Sequence, residues 1–183
     1  NKLMKPITWL RVGGPADIFF QPKDIDDLCE FLSLLPEDFN VTPVGVCSNL
    51  LVRDGGIPGA TIRLGRGFSE VKIDGQYITA GGSALDAKVA EFAAEMGVDL
   101  SFLRTIPGTI GGAVKMNAGC YGSCLADVFK SCEIVTRKGQ TKVLTCEDLQ
   151  FSYRNSSLHN DAIVTSVVLK GKKAHPESIK KIM

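Results

Sequence analysis

The stretch that most constrains the fold is residues 105–122, TIPGTIGGAVKMNAGCYG, in which five of the eighteen residues are glycine. A segment with so few side chains cannot build a hydrophobic core of its own. Its glycines leave space for a close approach of the backbone and leave backbone N–H groups unobstructed. Such a stretch either cradles a ligand or is a tight loop between a helix and a strand, and the rest of the sequence must distinguish the two.

Another glycine-bearing loop, GVCSNLLVRDGG, occupies residues 45–56 and is the first glycine loop along the chain. Ser48 and Asn49 can hydrogen-bond an anion beside free backbone amides, which suits a group that carries two phosphates. The absence of GxxxxGK[ST] excludes a P-loop, and AGGSALDAK lacks the GxGxxG spacing and the βαβ setting of a Rossmann site. Two glycine loops without either motif predict a dinucleotide bound in another way.

Composition limits the remaining possibilities. The 183 residues are 44% hydrophobic and 22% charged, which is enough for one core or for two small lobes that share a cleft. The net charge of +1 excludes a global attraction to nucleic acid or to an anionic membrane, so binding must be local. No apolar run approaches the roughly 20 residues that span a bilayer.

The cysteines and histidines predict neither a metal site nor disulfides. Six cysteines lack CxxC spacing, only two histidines are present, and no secretory segment precedes them, so we expect a protein of the reducing cytoplasm. His159 and His175 are expected on the solvated surface. The chain starts at Asn1 and stops within the basic segment PESIKKIM, and both ends are expected to be cut.

The first half predicts a helix and two strands. Asp24 is the expected N-cap of a helix in DIDDLCEFLSLL, and Pro36 ends this helix. VTPVGV and ATIRL are expected strands on either side of the first glycine loop. The predicted buried face of that helix comprises Ile25, Leu28, Phe31, Leu32 and Leu35.

The second half predicts hairpins and a second helix. Hairpins are expected at Asp74-Gly75 and around Lys138-Gly139, and AIVTSVVLKG is a final strand. Ser83 is the expected cap of a helix that Gly97 ends, with Leu85, Val89, Phe92 and Met96 on its buried face. Pro107-Gly108 fits a type II turn with positive φ at the glycine. This order predicts an α+β fold with mostly antiparallel pairing in its second half.

Four motifs carry a resemblance to a known family. TWLRVGGPAD, PVGVCSNLLVRDGGIPGATIRL, TIPGTIGGAVKMNAGCYG and FSYRNSSL occur in this order between about Thr8 and Lys170. Together they closely resemble the UDP-N-acetylenolpyruvoylglucosamine reductases, flavoenzymes of bacterial peptidoglycan synthesis. The resemblance implies an α+β FAD-binding module of the vanillyl-alcohol-oxidase (PCMH) type, in which two α+β lobes hold FAD in the cleft between them.

The resemblance also implies domain boundaries and cofactor contacts. Residues 1–66 would form the first lobe, residues 67–171 the second, and residues 172–183 the start of a linker or substrate-binding domain. Non-covalent FAD would contact the loop Gly45, Val46, Cys47, Ser48, Asn49 and Leu50 through its pyrophosphate. The second stretch would line the pyrophosphate and the isoalloxazine with Pro107, Gly108, Thr109, Gly112, Ala113, Asn117, Gly119, Tyr121 and Gly122.

The family reaction implies a role for two further residues. NADPH reduces FAD, the enolpyruvyl ether of UDP-N-acetylglucosamine then accepts hydride, and an acid protonates the neighbouring carbon. Arg154 matches the family arginine that stabilises charge on the substrate carboxylate, and Tyr153 is expected to shape the pocket. The family's proton-donating serine and its partner glutamate belong to a third domain that we expect to be missing here, so this chain is expected to bind FAD without completing turnover.

Cys47 departs from the family pattern, which usually reads GxGSN with glycine at this position. A cysteine there must accept the local backbone geometry, and positive φ is unfavourable for any residue with a side chain. Two alternatives to the reductase remain open at this point. One is a flavin oxidase on the same module, although no histidine for covalent FAD attachment lies in the pyrophosphate loop. The other is a stand-alone flavin-binding module, and in each case we expect a monomer.

Overall fold

Two β-sheets organise the chain, which the computed structural model describes over residues 1–183. The first sheet contains β1 (Lys2–Leu3), β2 (Pro15–Phe20), β3 (Val41–Val44) and β4 (Ile57–Arg63). Its strand order is β1-β2-β4-β3, and β4 runs parallel to both β2 and β3. The chain segment that carries the first glycine loop therefore leaves the end of β3 and returns through β4.

Helix α1 (Ile25–Leu34) forms where the sequence predicts a helix. It connects β3 to β2, a strand that the sequence did not predict. The Asp24 side chain accepts a hydrogen bond of 2.9 Å from the backbone N–H of Asp27, which confirms the predicted N-cap. Leu28 and Leu32 are fully buried, and they pack in one cluster with Ile62, Val135 and Ile163. Because Val135 and Ile163 belong to the second half of the chain, α1 is held between the two sheets.

The second half of the chain forms a five-stranded sheet and two short strand pairs. Its strands are β5 (Val71–Asp74), β6 (Tyr77–Gly81), β7 (Val98–Asp99), β8 (Gly119–Cys120), β9 (Ser123–Cys124), β10 (Phe129–Val135), β11 (Thr141–Thr145), β12 (Ile163–Lys170) and β13 (Lys172–Lys173). The large sheet has the order β11-β10-β12-β6-β5, and every pairing in it is antiparallel. The predicted antiparallel arrangement is confirmed.

Five further helices accompany this sheet. They are α2 (Asp86–Glu95), α3 (Ile110–Met116), α4 (Leu125–Val128), α5 (Cys146–Leu149) and α6 (Pro176–Lys180). A cluster of 24 buried residues packs α2 and α3 against the second sheet and forms the main core. None of the helices is both long and apolar enough to cross a membrane.

Helix α2 differs from its prediction at the start. Its N-cap position is Leu85, two residues later than predicted, and the Ser83 hydroxyl donates instead to the Gly65 carbonyl at 2.8 Å. Ser83 is thus used to join α2's leading loop to the end of β4. Gly97 follows the helix with φ of +71°, which confirms the predicted left-handed residue at its end.

The buried face of α2 was also predicted wrongly in part. Leu85 and Met96 are 44% and 50% exposed, and Phe92 is only partly buried. The buried apolar residues are Val89, Ala90, Ala93 and Ala94, and Asp86 in the first turn is buried as well. Small alanines allow the helix to approach the core closely, and a search for large apolar residues overlooks them.

The two hairpins are present, with one shift. Asp74 pairs with Tyr77, so the turn residues are Gly75 and Gln76, one position later than predicted. Gly75 has φ of +61° and provides the conformation that the turn requires. Gly139 likewise has positive φ in the loop between β10 and β11, as the sequence predicts.

Candidate functional site

A cleft lies between the two sheets and is lined by 20 residues. The end of β3, the end of β4, the first turns of α3 and the start of β12 contribute to its walls. Its volume of about 220 Å³ is below the roughly 300–1,000 Å³ of pockets that bury a whole drug-sized ligand. An extended dinucleotide held here must therefore continue beyond the cleft along the protein surface.

The two predicted glycine loops meet at this cleft. Gly45, Val46, Thr109 and Gly112 all line it. A Cβ placed on Gly45 would lie 2.6 Å from Oγ1 of Thr109, closer than real Cβ contacts allow. Glycine at position 45 thus permits the contact between the loops, which answers why two such segments occur in one chain.

The first loop presents a row of unused backbone donors. The N–H groups of residues 46–50 donate to no acceptor in the protein. Cys47 has φ of +57°, so the residue that replaces the family's glycine does adopt the conformation that glycine tolerates best. Successive free amides that include a left-handed residue make a concave site for an anion.

The Cys47 thiol is directed into the protein and away from solvent. It is buried with Met4, Ala16 and Val52. Burial raises the pKa of the Cys47 thiol, and the positive charge of Arg63 opposes that rise. A neutral buried thiol agrees with a packing role for this cysteine.

The N-terminal motif TWLRVGGPAD packs against the same loop. Trp9 donates its backbone N–H to the Cys47 carbonyl at 3.4 Å, and Gly14 donates to the Arg53 carbonyl at 2.9 Å. A Cβ on Gly14 would lie 1.9 Å from the carbonyl oxygen of Asp54. The motif therefore supports the first loop from behind.

The second glycine stretch is folded differently from its prediction. Gly108 is not among the residues with positive φ, so the predicted type II turn at Pro107-Gly108 is wrong. A Cβ on Gly108 would lie 2.7 Å from Oδ2 of Asp86, and the backbone N–H of Asp86 donates to the Gly108 carbonyl at 3.2 Å. Position 108 must therefore be glycine because it packs against the buried carboxyl group of Asp86. The sequence did not predict this contact.

Gly111 and Gly112 belong to helix α3, where the sequence predicted a loop. Gly111 donates its N–H to the Gly82 carbonyl at 3.0 Å, whereas the N–H of Gly112, which lines the cleft, has no acceptor in the protein. Ala113 is buried in the main core and is not among the lining residues. The cleft thus receives a free donor from the second half of the chain as well.

Asn117 ends α3 and fastens a neighbouring turn. Its φ is +41°, its side-chain Nδ2 donates to the Ser152 carbonyl at 2.9 Å, and its Oδ1 accepts from the Ala126 N–H at 3.0 Å. Both ends of the amide are therefore used within the protein. Lys115 and Met116, the two residues before Asn117, line the cleft, whereas Asn117 and the turn that it fastens are not among the lining residues.

That turn carries Tyr153 and Arg154. Ser152 and Asn155 exchange two backbone hydrogen bonds, which closes the turn and leaves Arg154 with φ of +55°. Tyr153 is 91% exposed, and the Arg154 guanidinium lies 5.9 Å from the centre of its ring. Arg154 makes no ion pair, so its charge is available to an anionic ligand.

The remaining predicted residues lie on two surface loops. Gly119 is in β8 beside Cys124, and Tyr121 and Gly122 form the exposed turn between β8 and β9 with positive φ. Ser48 is half-buried, Asn49 is exposed, and neither side chain hydrogen-bonds to the protein. Leu50 packs against the Cys47 cluster, and Pro107 precedes the loop contact at Thr109.

Comparison with known proteins decides what this arrangement is. Residues 16–145, most of the chain, match a family model described as an FAD binding domain. The chain belongs to the FAD-binding domain family. Its predicted α+β module of the vanillyl-alcohol-oxidase type and its FAD cofactor are confirmed by this match and by the structural likenesses.

The relatives of this FAD-binding domain confirm the resemblance carried by the four motifs. A UDP-N-acetylenolpyruvoylglucosamine reductase from Ruegeria pomeroyi is 56% identical over 98% of the chain. The crystal structure of the corresponding reductase from Thermus caldophilus has a TM-score of 0.87 at 35% identity, and the match covers 99% of this chain and 65% of that one. The chain spans about 58% of the length of the curated relative from Ruegeria.

A more distant likeness concerns the fold alone. A cholesterol oxidase from Brevibacterium sterolicum has a TM-score of 0.67 at 15% identity, over 85% of this chain and 34% of that one. The fold of this FAD-binding domain is therefore shared with a protein that carries a different name, and the likeness says nothing about activity.

The residues of the FAD-binding domain fit a pyrophosphate-containing cofactor. The cleft has the free N–H of Val46 on one wall and the free N–H of Gly112 on another. The free amides of residues 47–50 follow Val46 along the loop. Its lining contains Arg63 and Lys115 and no aspartate or glutamate. An anion thus meets donors and positive charge without repulsion.

Sequence reasoning missed several lining residues of the FAD-binding domain. Arg63, Ser83, Lys115, His159 and Asn160 all line the cleft. The signal for Arg63 was its place at the end of the strand that follows the first loop. His159 is exposed as predicted, but it has an acidic partner that the sequence did not predict, since its Nδ1 contacts Oδ1 of Asp161 at 2.5 Å.

Proposed function

We propose that this chain is the FAD-binding part of a UDP-N-acetylenolpyruvoylglucosamine reductase, which reduces the enolpyruvyl ether of UDP-N-acetylglucosamine with NADPH in peptidoglycan synthesis. The observation that carries the proposal is the contact of Gly45 with Thr109, which joins two glycine loops of separate sheets at one cleft. The high identity to reductases of that name over nearly the whole chain supports the choice of reaction.

The domain division follows the two sheets. We propose a first lobe of residues 1–66 and a second lobe of residues 67–171, with residues 172–183 as the start of a further segment. The first sheet ends at Arg63 and the second begins at Val71, which supports a boundary between them. We further propose a monomer that acts in the cytoplasm on a small UDP-sugar substrate.

FAD, when bound, supplies the hydride that it has received from NADPH. The first loop would hold the pyrophosphate through the free amides of residues 46–50, while Gly45 allows this loop to contact Thr109. Helix α3 is roughly 10 Å long, so residues at its far end can contact a different part of an extended cofactor. We assign that task to Asn117, Gly119, Tyr121 and Gly122.

Arg154 would bind the carboxylate of the substrate. Its planar guanidinium can donate two parallel hydrogen bonds and stabilise negative charge that develops during reduction. Asn117 holds the Ser152–Asn155 turn in place through the Ser152 carbonyl, and Tyr153 stacks beside the guanidinium. We assign the proton donor to none of residues 1–183.

The test is flavin binding by the purified chain and by two glycine variants. Gly45→Ala places a Cβ 2.6 Å from Thr109, whereas Gly55→Ala adds a Cβ with no atom within 4 Å. We expect the wild type and Gly55→Ala to retain FAD through gel filtration, and Gly45→Ala to bind FAD at least about tenfold more weakly because the loop contact is disturbed.

The flavin absorption band at roughly 350–500 nm measures the retained cofactor, and NADPH added under anaerobic conditions should bleach this band. Circular dichroism must show that both variants are folded. Equal FAD affinity in Gly45→Ala and the wild type, or a wild type that binds no FAD, would overturn the proposed site.

A further inference from the structure

The cleft carries charge of one sign although the whole chain is nearly neutral. Its lining includes Arg63 and Lys115 and no carboxylate, while the chain as a whole has a net charge of only +1. The lining histidine, His159, contacts the carboxylate of Asp161, which is outside the lining. Lys115 is fixed by a 2.6 Å hydrogen bond from its Nζ to the Leu158 carbonyl. The local field of the cleft therefore favours an anion.

Arg63 differs from the other arginines that structure the fold. Its guanidinium forms no ion pair and donates no hydrogen bond within the protein. The side chain is half-buried at the cleft wall. A partly desolvated charge without a partner is unfavourable, and binding an anion would remove that cost.

The position of Arg63 connects it to the first glycine loop. It is the last residue of β4 and pairs with Val44, the residue before Gly45, in the parallel ladder. Its charge also opposes the burial-induced rise in the pKa of Cys47, which is the second residue of the free amide row. Strand pairing thus places Arg63 beside the start of the loop whose amides have no acceptors.

We propose that Arg63 is a pyrophosphate-binding residue, whose guanidinium and the free amides of residues 46–50 hold the same diphosphate. The inference rests on the proposed function for the presence of a dinucleotide, but its chemistry concerns the diphosphate alone. A guanidinium matches phosphate oxygens with two parallel hydrogen bonds, which backbone amides do not provide.

The experiment separates the diphosphate from the flavin ring. FAD, ADP and riboflavin are titrated by isothermal calorimetry into the wild type, Arg63→Ala, Arg63→Lys and Arg66→Ala. Riboflavin contains the ring without any phosphate, and ADP contains the diphosphate without the ring. Arg66 is the matched control because it lies three residues on, is exposed, and is not among the lining residues.

We expect Arg63→Ala to weaken FAD and ADP by about 10- to 100-fold, since it removes charge-assisted hydrogen bonds. Riboflavin affinity should not change. Arg63→Lys should recover part of the loss because it restores the charge without the planar fork. Arg66→Ala should match the wild type for all three ligands.

Each other outcome decides between the two proposals. If a folded Arg63→Ala variant binds FAD and ADP as tightly as the wild type, the inference about Arg63 is wrong. The proposed function still holds in that case, provided that the wild type binds FAD. An equal loss of riboflavin affinity also overturns it, because the residue would then act on the ring or on the fold. Arg63-dependent ADP binding without flavin binding supports the inference and overturns the proposed function, and binding of none of the three ligands overturns both.

Discussion

Asp86 is the most unusual residue of the chain. It is fully buried, and neither carboxyl oxygen has a hydrogen-bond partner. Burial raises the pKa of Asp86 to about 8, because desolvation disfavours the charged form. At neutral pH the group is therefore mostly a neutral acid beneath Gly108, in the stretch that borders the cleft.

This burial makes stability depend on pH in a defined direction. An unfolded aspartate titrates near a pKa of about 3.9, so between about pH 4 and pH 8 the folded chain binds more protons at this site than the unfolded chain. The stabilising effect is fully present below about pH 4 and is lost as the pH rises to about 8. The free energy of unfolding should fall by at most about 1.4 kcal/mol per pH unit in that window.

Asp86→Asn should reduce the pH dependence of the free energy of unfolding, because the asparagine side chain has nearly the shape of aspartate and does not ionise. Urea unfolding at pH 5 and pH 8 measures the slope. The control is Asp74→Asn at the exposed end of β5, which should keep the wild-type slope. A slope in Asp86→Asn equal to that of the wild type would contradict the account.

Single residues show what local reasoning can and cannot reach. The sequence predicted backbone strain at Cys47, because a family glycine was missing, and the φ of +57° confirms it. It gave a wrong reason for Gly108, since the Asp86 carboxyl that requires the glycine is 22 positions earlier. Arg63 was missed because its approach to the first loop depends on strand pairing that no local pattern contains.

Among the elements, α1 was predicted accurately because three signals indicated the same helix: the N-cap Asp24, the helical spacing of the apolar residues, and Pro36 after its end. The face of α2 was not, because Ala90, Ala93 and Ala94 bury little surface individually and give a weak periodic signal. The β5–β6 turn was shifted by one residue because Asp74-Gly75 and Gly75-Gln76 both offer a glycine, and only the pairing of Asp74 with Tyr77 distinguishes them.

Helix α1 depends on an arginine from the other sheet. Its last turn contains no basic residue. Arg137, in the loop between β10 and β11, donates to the carbonyls of Leu32 and Phe39 at 3.2 Å each and also to that of Pro36. Leu32 is in the last turn of α1, whereas Pro36 and Phe39 follow the helix, so these bonds tie α1 and the segment after it to the second sheet.

Arg137→Ala should destabilise the chain by about 1–3 kcal/mol, because it removes three hydrogen bonds from a charged donor and leaves the Phe39 carbonyl without a partner. The midpoint of urea unfolding measures the effect. Lys138→Ala is the control: Lys138 is 74% exposed in its side chain and lies 3.8 Å from Glu37, so its loss should change stability by less than about 1 kcal/mol. Equal effects of the two variants on stability would contradict the proposed role of the Arg137 hydrogen bonds.

The whole molecule combines an antiparallel sheet with a mostly parallel one, in which β1 alone pairs antiparallel. The cleft arises where the two sheets meet. The family resemblance predicted two lobes and a cleft, but local patterns could not give the strand order β1-β2-β4-β3. The cluster of Leu28, Leu32, Ile62, Val135 and Ile163 crosses between the halves. The lobes are therefore joined by a small core on one side of the cleft and by the contact of Gly45 with Thr109 at its mouth.

A cofactor held between the lobes should protect both of them at once. Hydrogen exchange with and without FAD should slow together at the free amides of residues 46–50 and at Gly112, which belong to different halves of the chain. At FAD about 100-fold above its Kd, the folded state gains about 2.7 kcal/mol by mass action. The exposed β5–β6 turn at Gly75 and Gln76 is the internal control, since its exchange needs only local motion. Protection confined to one loop would mean that the ligand contacts a single lobe and that the cleft does not hold FAD between the two sheets.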